Sequence, residues 1–404
     1  MSCDDDDGAL PLRGLRVLDM ATLFAGPVMA TLLGDYGADV IKVEHPRGDS
    51  LRGLGWSKDG HSLWWMLCAR NKRPVTLDLS QPRGAALARE LAARADVLIE
   101  NFRPGTMERW GLGWEELHAI NPRLVMVRTT GFGQTGPYRS RAGFGTLAES
   151  MSGYAHINGF PGGPPTLPPF ALGDGIAALT GVSALMIAIY ERDVLGSGKG
   201  QWIDLSIYEP LFWILGPQAL VYDQLGIVQH RTGNRAPFTA PRNAYLAADG
   251  VWLGLSASSQ SVAERVMHIV GRPELIEESW FSSHAGRLEH VDLLDAVIGE
   301  WIAERTSTEV VEVFGSEGAA IAPIYTIADC FEDPQFIERD TITTVEHPEL
   351  GPVRMQNVVP RLSRTPGSIR RVGGELGECN EEIYVDELGH DLDELEGWRT
   401  EGII

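Results

Sequence analysis

No two cysteines in this sequence stand close together. Cys3, Cys68, Cys330 and Cys379 are scattered singly, which excludes a CxxC zinc or redox motif and a disulfide scaffold and fits a reducing compartment. Positive charge is also scarce: 34 Lys and Arg against 55 Asp and Glu leave a formal net charge of −21. Nucleic acid is therefore not an expected partner, because phosphate contacts need a basic face. A few well-placed cations can still hold a small anion. The opening MSCDDDDG has acid where a signal peptide carries base, and no apolar core follows it, so a cytoplasmic location is expected and no membrane partner. The longest apolar run, Gly175 to Tyr190, is shorter than the roughly 20 residues of a bilayer span and is expected to form a buried helix. No P-loop, GxSxG or His/Cys/carboxylate spacing suited to a metal is found, so no metal is expected.

What is present reads as a folded enzyme of two domains, since 404 residues exceed one ordinary core. Short β-branched runs at 15–20, 39–44, 73–79, 96–102, 124–132 and 202–207 suit strands of a parallel sheet buried on both faces. Helical patterns at 27–33, after a Pro at a first helical position, and at 82–95, with Leu87, Leu91 and Ala95 on one face, lie between them. The alternation predicts a doubly wound, Rossmann-like α/β large domain over 1–210. A Gly-, Pro- and Arg-rich linker follows at 211–243. A smaller α+β domain is expected over 244–322, beginning with a hairpin around Asp249-Gly250 and continuing through helices near 261–270, 293–304 and 308–315. The remainder, 323–404, reads as a return linker completing the large domain, with an acidic tail from Glu375.

Three features carry chemistry. Gly131-Phe132-Gly133-Gln134-Thr135-Gly136 is a literal GxGxxG after a strand, but Pro137 and Tyr138 follow where a helix should open, so a dinucleotide site is not expected; the glycines are expected to shape a loop near a ligand. Gly173-Asp174-Gly175 precedes the long apolar helix. There Asp174 reads either as an N-cap or as a functional carboxylate, since a buried charge is costly without a purpose and a helix N-terminus can hold it ionised. Finally, basic residues recur after successive strands: His45 and Arg47, Arg52, Lys72 and Arg73, Arg103 and Arg109, Arg139 and Arg141. Carboxyl ends of strands line the ligand crevice of an open α/β sheet, so this recurrence suggests a polyanionic ligand such as a nucleotide.

With these residues in view, the chain resembles the class III CoA-transferases, from about Pro11 to Asn380. The resemblance is carried by LRVLDMATLFAGP (15–27), GADVIKVEHPRGDSLR (37–52), NKRPVTLDL (71–79), DVLIENFRPGTMERWGLGWEEL (96–117), GFGQTGPYRSRAGFG (131–145), PPFALGDGIAALTG (168–181), GKGQWIDLSIYE (198–209) and IAPIYTIADCFEDPQF (321–336). It implies a CoA-transferase with Asp174 as covalent nucleophile, working through a mixed anhydride and an aspartyl-CoA thioester. Coenzyme A or acyl-CoA is then substrate rather than resident cofactor, contacted near His45, Arg47, Lys72, Asn101, Phe102, Arg109 and Arg141. Backbone amides after Asp174 are the expected oxyanion donors. The resemblance also implies an interlocked homodimer, which would explain the linker.

Phe24, Ala25, Phe144 and Gly145 are expected to border the acyl pocket. The family's racemases use a histidine at the position of Phe144, and phenylalanine cannot move a proton. Formyl-CoA transferase has Gln and Glu at the positions of Phe24 and Phe144, and its glycine-rich flap has no counterpart. A more apolar pocket and a larger or less charged acyl group than oxalate follow. The alternatives are an acyl-CoA racemase or isomerase and a non-catalytic CoA-binding protein.

Overall fold

The structure, a computed structural model, describes residues 10–404; the acidic start and Cys3 lie outside the described residues. The chain divides into two compact units. The first runs through Tyr154 and adds Pro168–Gly216 and Ile337–Ile404; the second comprises Ala155–Leu167 and Pro217–Phe336.

The first unit is built on six parallel strands, β1 (Arg16–Asp19), β2 (Asp39–Glu44), β3 (Lys72–Thr76), β4 (Val97–Glu100), β5 (Val125–Thr130) and β6 (Trp202–Ser206), in the order β3-β2-β1-β4-β5-β6. That is the doubly wound order, with its switch point between β1 and β4. The register sets Val17 beside Val40 and Val97, and Val97 beside Val125. Successive side chains point to opposite faces, so two cores form. Leu18, Ile41, Leu98 and Met126 pack under helix α2 (Pro82–Ala93). Val17, Val40, Val97 and Val127 pack under α1 (Ala25–Asp35), α3 (Gly145–Met151) lying nearby, and under α4 (Leu172–Asp193). Each such side chain, fully buried, contributes about 1.5–3 kcal/mol.

Two expectations are corrected in this unit. The apolar helix is 22 residues long and, by length and composition, could span a bilayer, yet only one face is buried. Ala177, Ala178, Gly181 and Leu185 meet the sheet and α1, while Leu179 and Ile187 stand 61% and 71% exposed on the other side. The acidic tail is not a tail. Residues Glu382–Glu387 and Leu392–Thr400 are helical, and their Ile383, Tyr384, Leu395 and Trp398 close the α2 core. Asn380 clasps Thr76 by both amide atoms, accepting from its N–H at 2.8 Å and donating to Oγ1 at 2.7 Å.

The second unit carries an antiparallel sheet, β7 (Arg242–Leu246), β8 (Trp252–Ser256) and β9 (Ile321–Pro323), with β8 central. Helices α5 (Gln260–Ile269), α6 (Val291–Ala303) and α7 (Ser307–Ser316) cover one face, enclosing Leu253, Val266, Ile298 and Phe314. The boundaries differ from the linker-and-domain division predicted. Residues 155–167 join this unit because Gly233 N–H bonds Gly159 O and Arg231 donates to His156 O. The 230–242 stretch is irregular but anchored: Arg235 and Asn243 both donate to Oδ2 of Asp295, at 2.7 and 2.8 Å. The chain returns to the first unit at Ile337 and forms a ribbon of β10 (Ile342–His347) and β11 (Gly351–Gln356).

Candidate functional site

A cavity of about 320 Å³ opens in the first unit at the carboxyl ends of β1, β4 and β5, where an open α/β sheet binds ligands. The turn after β1 forms one wall. Asn101 grips that turn, accepting from Thr22 N–H at 2.8 Å and donating to Thr22 O at 2.8 Å, and Asp49 accepts from Leu23 N–H. This holds Phe24 at the entry of α1, where its ring meets Trp64 edge-on at 5.3 Å. Phe102 lines the wall beside Asn101, its amide donating to Glu100 at 2.7 Å. Glu100 in turn accepts from Arg128 at 2.8 Å. Burial lifts the Glu100 carboxyl to about 7 against the pull of that guanidinium.

The opposite wall follows β5. Gly131 and Gly143 lie backbone against backbone: a Cβ on Gly131 would sit 2.5 Å from Gly143 Cα. Gly133 adopts φ +81°, and the next amide, Gln134, donates to Asp204 at 2.9 Å. The glycine motif thus folds a loop back on itself, and no helix opens from it. Its folding delivers Phe144 to the cavity rim, 59% exposed, and Gly145 to the first position of α3.

Asp174 lies on the same cavity. Helix α4 begins at Leu172 with Ala171 as its cap residue, so Asp174 sits in the first turn and is not the N-cap. Gly145 makes room for it: a Cβ there would come within 2.1 Å of Asp174 Oδ2. Burial first, and the charge of Glu149 second, push the Asp174 carboxyl up to about 6, while the amides of Asp174 and Gly145 hold it down. The expected oxyanion donor is spoken for, because Gly175 N–H bonds Ala171 O at 2.9 Å within the helix. Beside the amide of Asp174 itself, the amide of Gly145 is the donor that faces the carboxylate.

Of the residues read from the sequence, the cavity collects Phe24, Ala25, Asn101, Phe102, Arg141, Phe144 and Asp174 along its lining, with Gly145 against Asp174. His45, Arg47 and Arg109 lie outside it on the exposed surface; His45 stands 3.9 Å from Asp78, and Arg109 donates to Thr106 at 3.0 Å. Lys72 is a correction. It is 1% exposed, and its Nζ donates to Asp19 at 2.9 Å and to Pro27 O at 2.7 Å. A lysine turned into the sheet beside a buried aspartate is a structural ion pair and cannot reach a ligand.

The structure adds residues beyond those singled out for the site. Arg103 and Arg139 line the cavity with Arg141, so it is more cationic than the expected apolar pocket; their signal was the run of basic residues after strands. Glu149, behind Asp174, carried none beyond being an acid in an otherwise uncharged helix. A roomier concavity of about 500 Å³ on the second unit has Arg242 as its sole charged lining residue, and offers neither a carboxylate nucleophile nor a base. Among the described residues no His, Cys, Asp and Glu group could hold a metal ion.

The family of the chain is given by comparison with known proteins. Residues 12–380 match the model of CoA-transferase family III. The chain is 43% identical over 396 residues to succinyl-CoA–D-citramalate CoA-transferase of Chloroflexus aurantiacus, covering 98% of each chain. It is 40% identical to the β subunit of succinyl-CoA–L-malate CoA-transferase of the same organism, covering 99% and 100%. Among solved structures, a CAIB/BAIF family protein from Brucella suis superposes with a TM-score of 0.80 at 32% identity, over 94% of this chain and 99% of that one.

Proposed function

Because the chain belongs to CoA-transferase family III and is a CoA-transferase, we propose that it carries coenzyme A from succinyl-CoA to a hydroxylated dicarboxylic acid through covalent intermediates on Asp174. One observation carries this reading: a carboxylate raised to about 6 opens onto a cavity walled by Arg103, Arg139 and Arg141. At neutral pH it is ionised, yet more basic than an ordinary aspartate, as a nucleophile should be.

The steps balance without a net proton. An Asp174 oxygen bonds to the thioester carbon, the C–S bond breaks, and sulfur leaves with the electron pair as CoA thiolate. The thiolate attacks the Asp174 carbonyl of the anhydride, and the donor acid departs as carboxylate. An acceptor carboxylate then reverses both steps from the aspartyl-CoA thioester. The Gly145 amide is placed to stabilise the oxyanions. The arginines pair with the substrate's carboxylates and phosphates, Asn101 and Phe102 hold the pantetheine side, and His45, Arg47 and Arg109 take the nucleotide end. Phe24 and Phe144 keep water from the anhydride.

The reading includes a homodimer in which partners interlock. It is supported by the exposed apolar face of α4 and by Trp213, 81% exposed, since such patches mark association surfaces. It also places the enzyme in the cytoplasm, in keeping with the free thiols of Cys68, Cys330 and Cys379.

The test is incubation with succinyl-CoA followed by peptide mass spectrometry, and label exchange with D-citramalate, L-malate and oxalate. A CoA adduct on Asp174, with exchange into the C4 and C5 hydroxy acids, is expected. Full activity of Asp174→Ala would refute the nucleophile, and exchange into oxalate alone would refute the substrate class.

A further inference from the structure

Helices α3 and α4 meet in a reciprocal clamp at the reacting carboxylate. The first amide of α3, at Gly145, supports Asp174 on α4. One turn further along α3, Glu149 reaches back and accepts the N–H of Gly173, next to Asp174, at 3.1 Å. A Cβ on Gly173 would lie 3.2 Å from Gly145 O and 3.6 Å from Glu149 Cγ, so the two helices approach closely at the two glycines, with Glu149 packed beside them.

Glu149 is 3% exposed and has no ion pair among the described residues. A buried carboxylate without a cation is costly; a single amide does not offset it. Its neighbours add acid: Asp174, and Tyr154, whose hydroxyl burial and the Glu149 charge together push up. The other elements around this point offer it no cation of their own. On α1 the sole acid, Asp35, lies at the far end, paired with Arg70. On β5, Arg128 is paired with Glu100 and Glu108. On β6, Asp204 accepts from Gln134, and after it Glu209 is bonded to Ser206. Arg103, Arg139 and Arg141 face the cavity on the Asp174 side.

We propose that Glu149 is a positioning residue for the nucleophile: it fixes the first turn of α4 through Gly173 and sets a second negative charge against Asp174. This rests on Asp174 being the nucleophile. Two carboxylates in one site cannot both be comfortable as anions. Attack on a thioester forms the Asp174–acyl C–O bond and moves the charge to the departing thiolate, so acylation relieves the repulsion. The charge of Glu149 thereby favours the forward step, and its contact with Gly173 keeps the attacking oxygens in line.

Glu149→Gln separates the two roles, since its amide oxygen still accepts from Gly173 while the charge is gone. Expected are an unchanged circular dichroism spectrum, an unchanged KM for succinyl-CoA, and a kcat lowered on the order of tenfold. The acid limb of the kcat profile moves down by about one pH unit, and the Asp174 adduct still forms. Wild-type kcat with an unmoved acid limb would overturn the proposal. Infrared titration of the Asp174 carboxyl band in wild type and Glu149→Gln tests the coupling apart from turnover. The band should titrate at lower pH in the variant, and a band that does not move overturns the proposal too. Full activity in Asp174→Ala would remove the nucleophile itself; an inactive Asp174→Ala beside a wild-type-like Glu149→Gln would remove only the role of Glu149.

Discussion

Gly145 leaves no room for a side chain beside Asp174: a methyl group there would fall 2.1 Å from Oδ2. The backbone of Asp174 is fixed in the first turn of a helix, so it is the side chain that must give way. Gly145→Ala is therefore expected to rotate the carboxylate away from its attack position. A misplacement near 1 Å costs about 100-fold, so kcat should fall by that order while KM for acyl-CoA changes little. Steady-state kinetics with succinyl-CoA checks this.

Asp174 is also expected to weaken the fold. Its carboxyl is raised to about 6 by burial and by Glu149, so the folded state binds a proton more readily than the unfolded chain does. Its contribution to stability is fully present below the unfolded value and is lost as pH rises through about 6. Asp174→Asn should consequently stabilise the protein at pH 8 by about 1–3 kcal/mol. The gain should shrink on acidification and vanish near pH 4, which urea melts at several pH values would show.

Lys72 and the cavity arginines should separate by phenotype. Lys72→Met leaves Asp19 with Lys42 alone, 3.8 Å away, and is expected to cost on the order of 3 kcal/mol of stability. The KM of the protein that remains folded should not change. Arg139→Ala and Arg103→Ala remove exposed guanidinium groups. They should leave the melting temperature unchanged and lower kcat/KM for succinyl-CoA by about tenfold or more.

Association is expected to depend on the outer face of α4. Ile187→Glu places a charge where the wild-type chain exposes an apolar stripe. Light scattering after size exclusion should give twice 44.1 kDa for the wild type and one chain mass for the variant. A monomeric wild type would contradict the dimer.

Much of the first unit could be read from the chain because its determinants are local. Continuous apolar runs bounded by turns mark strands buried on both faces: five of the six strands of the parallel sheet fall within the expected segments, and β3 starts one residue early, at Lys72. Position in sequence could not reveal what depends on distant partners. Lys72 reads as a surface cation until β3 docks beside β2, which lies next to β1, and its side chain reaches Asp19, 53 residues away. Residues 155–167 leave the first unit because their bonds run to Arg231, 75 residues on from His156. Asp174 was legible as a helix-start carboxylate, but its depth in the helix was not, since Ala171 gives no capping signal. Glu149 acquires meaning only when α3 crosses α4.

The contact of Gly131 with Gly143 has a consequence for redesign. Two main chains in direct touch form a frame that tolerates no added atom, so altering the preferred acid by mutating that loop would dismantle the site rather than retune it. Phe24 and Phe144 stand on the margins of that frame, one at a helix entry and the other largely open to solvent. Enlarging or recharging those two positions is the route by which one scaffold could be taught a different acid while its reacting carboxylate stays where it is.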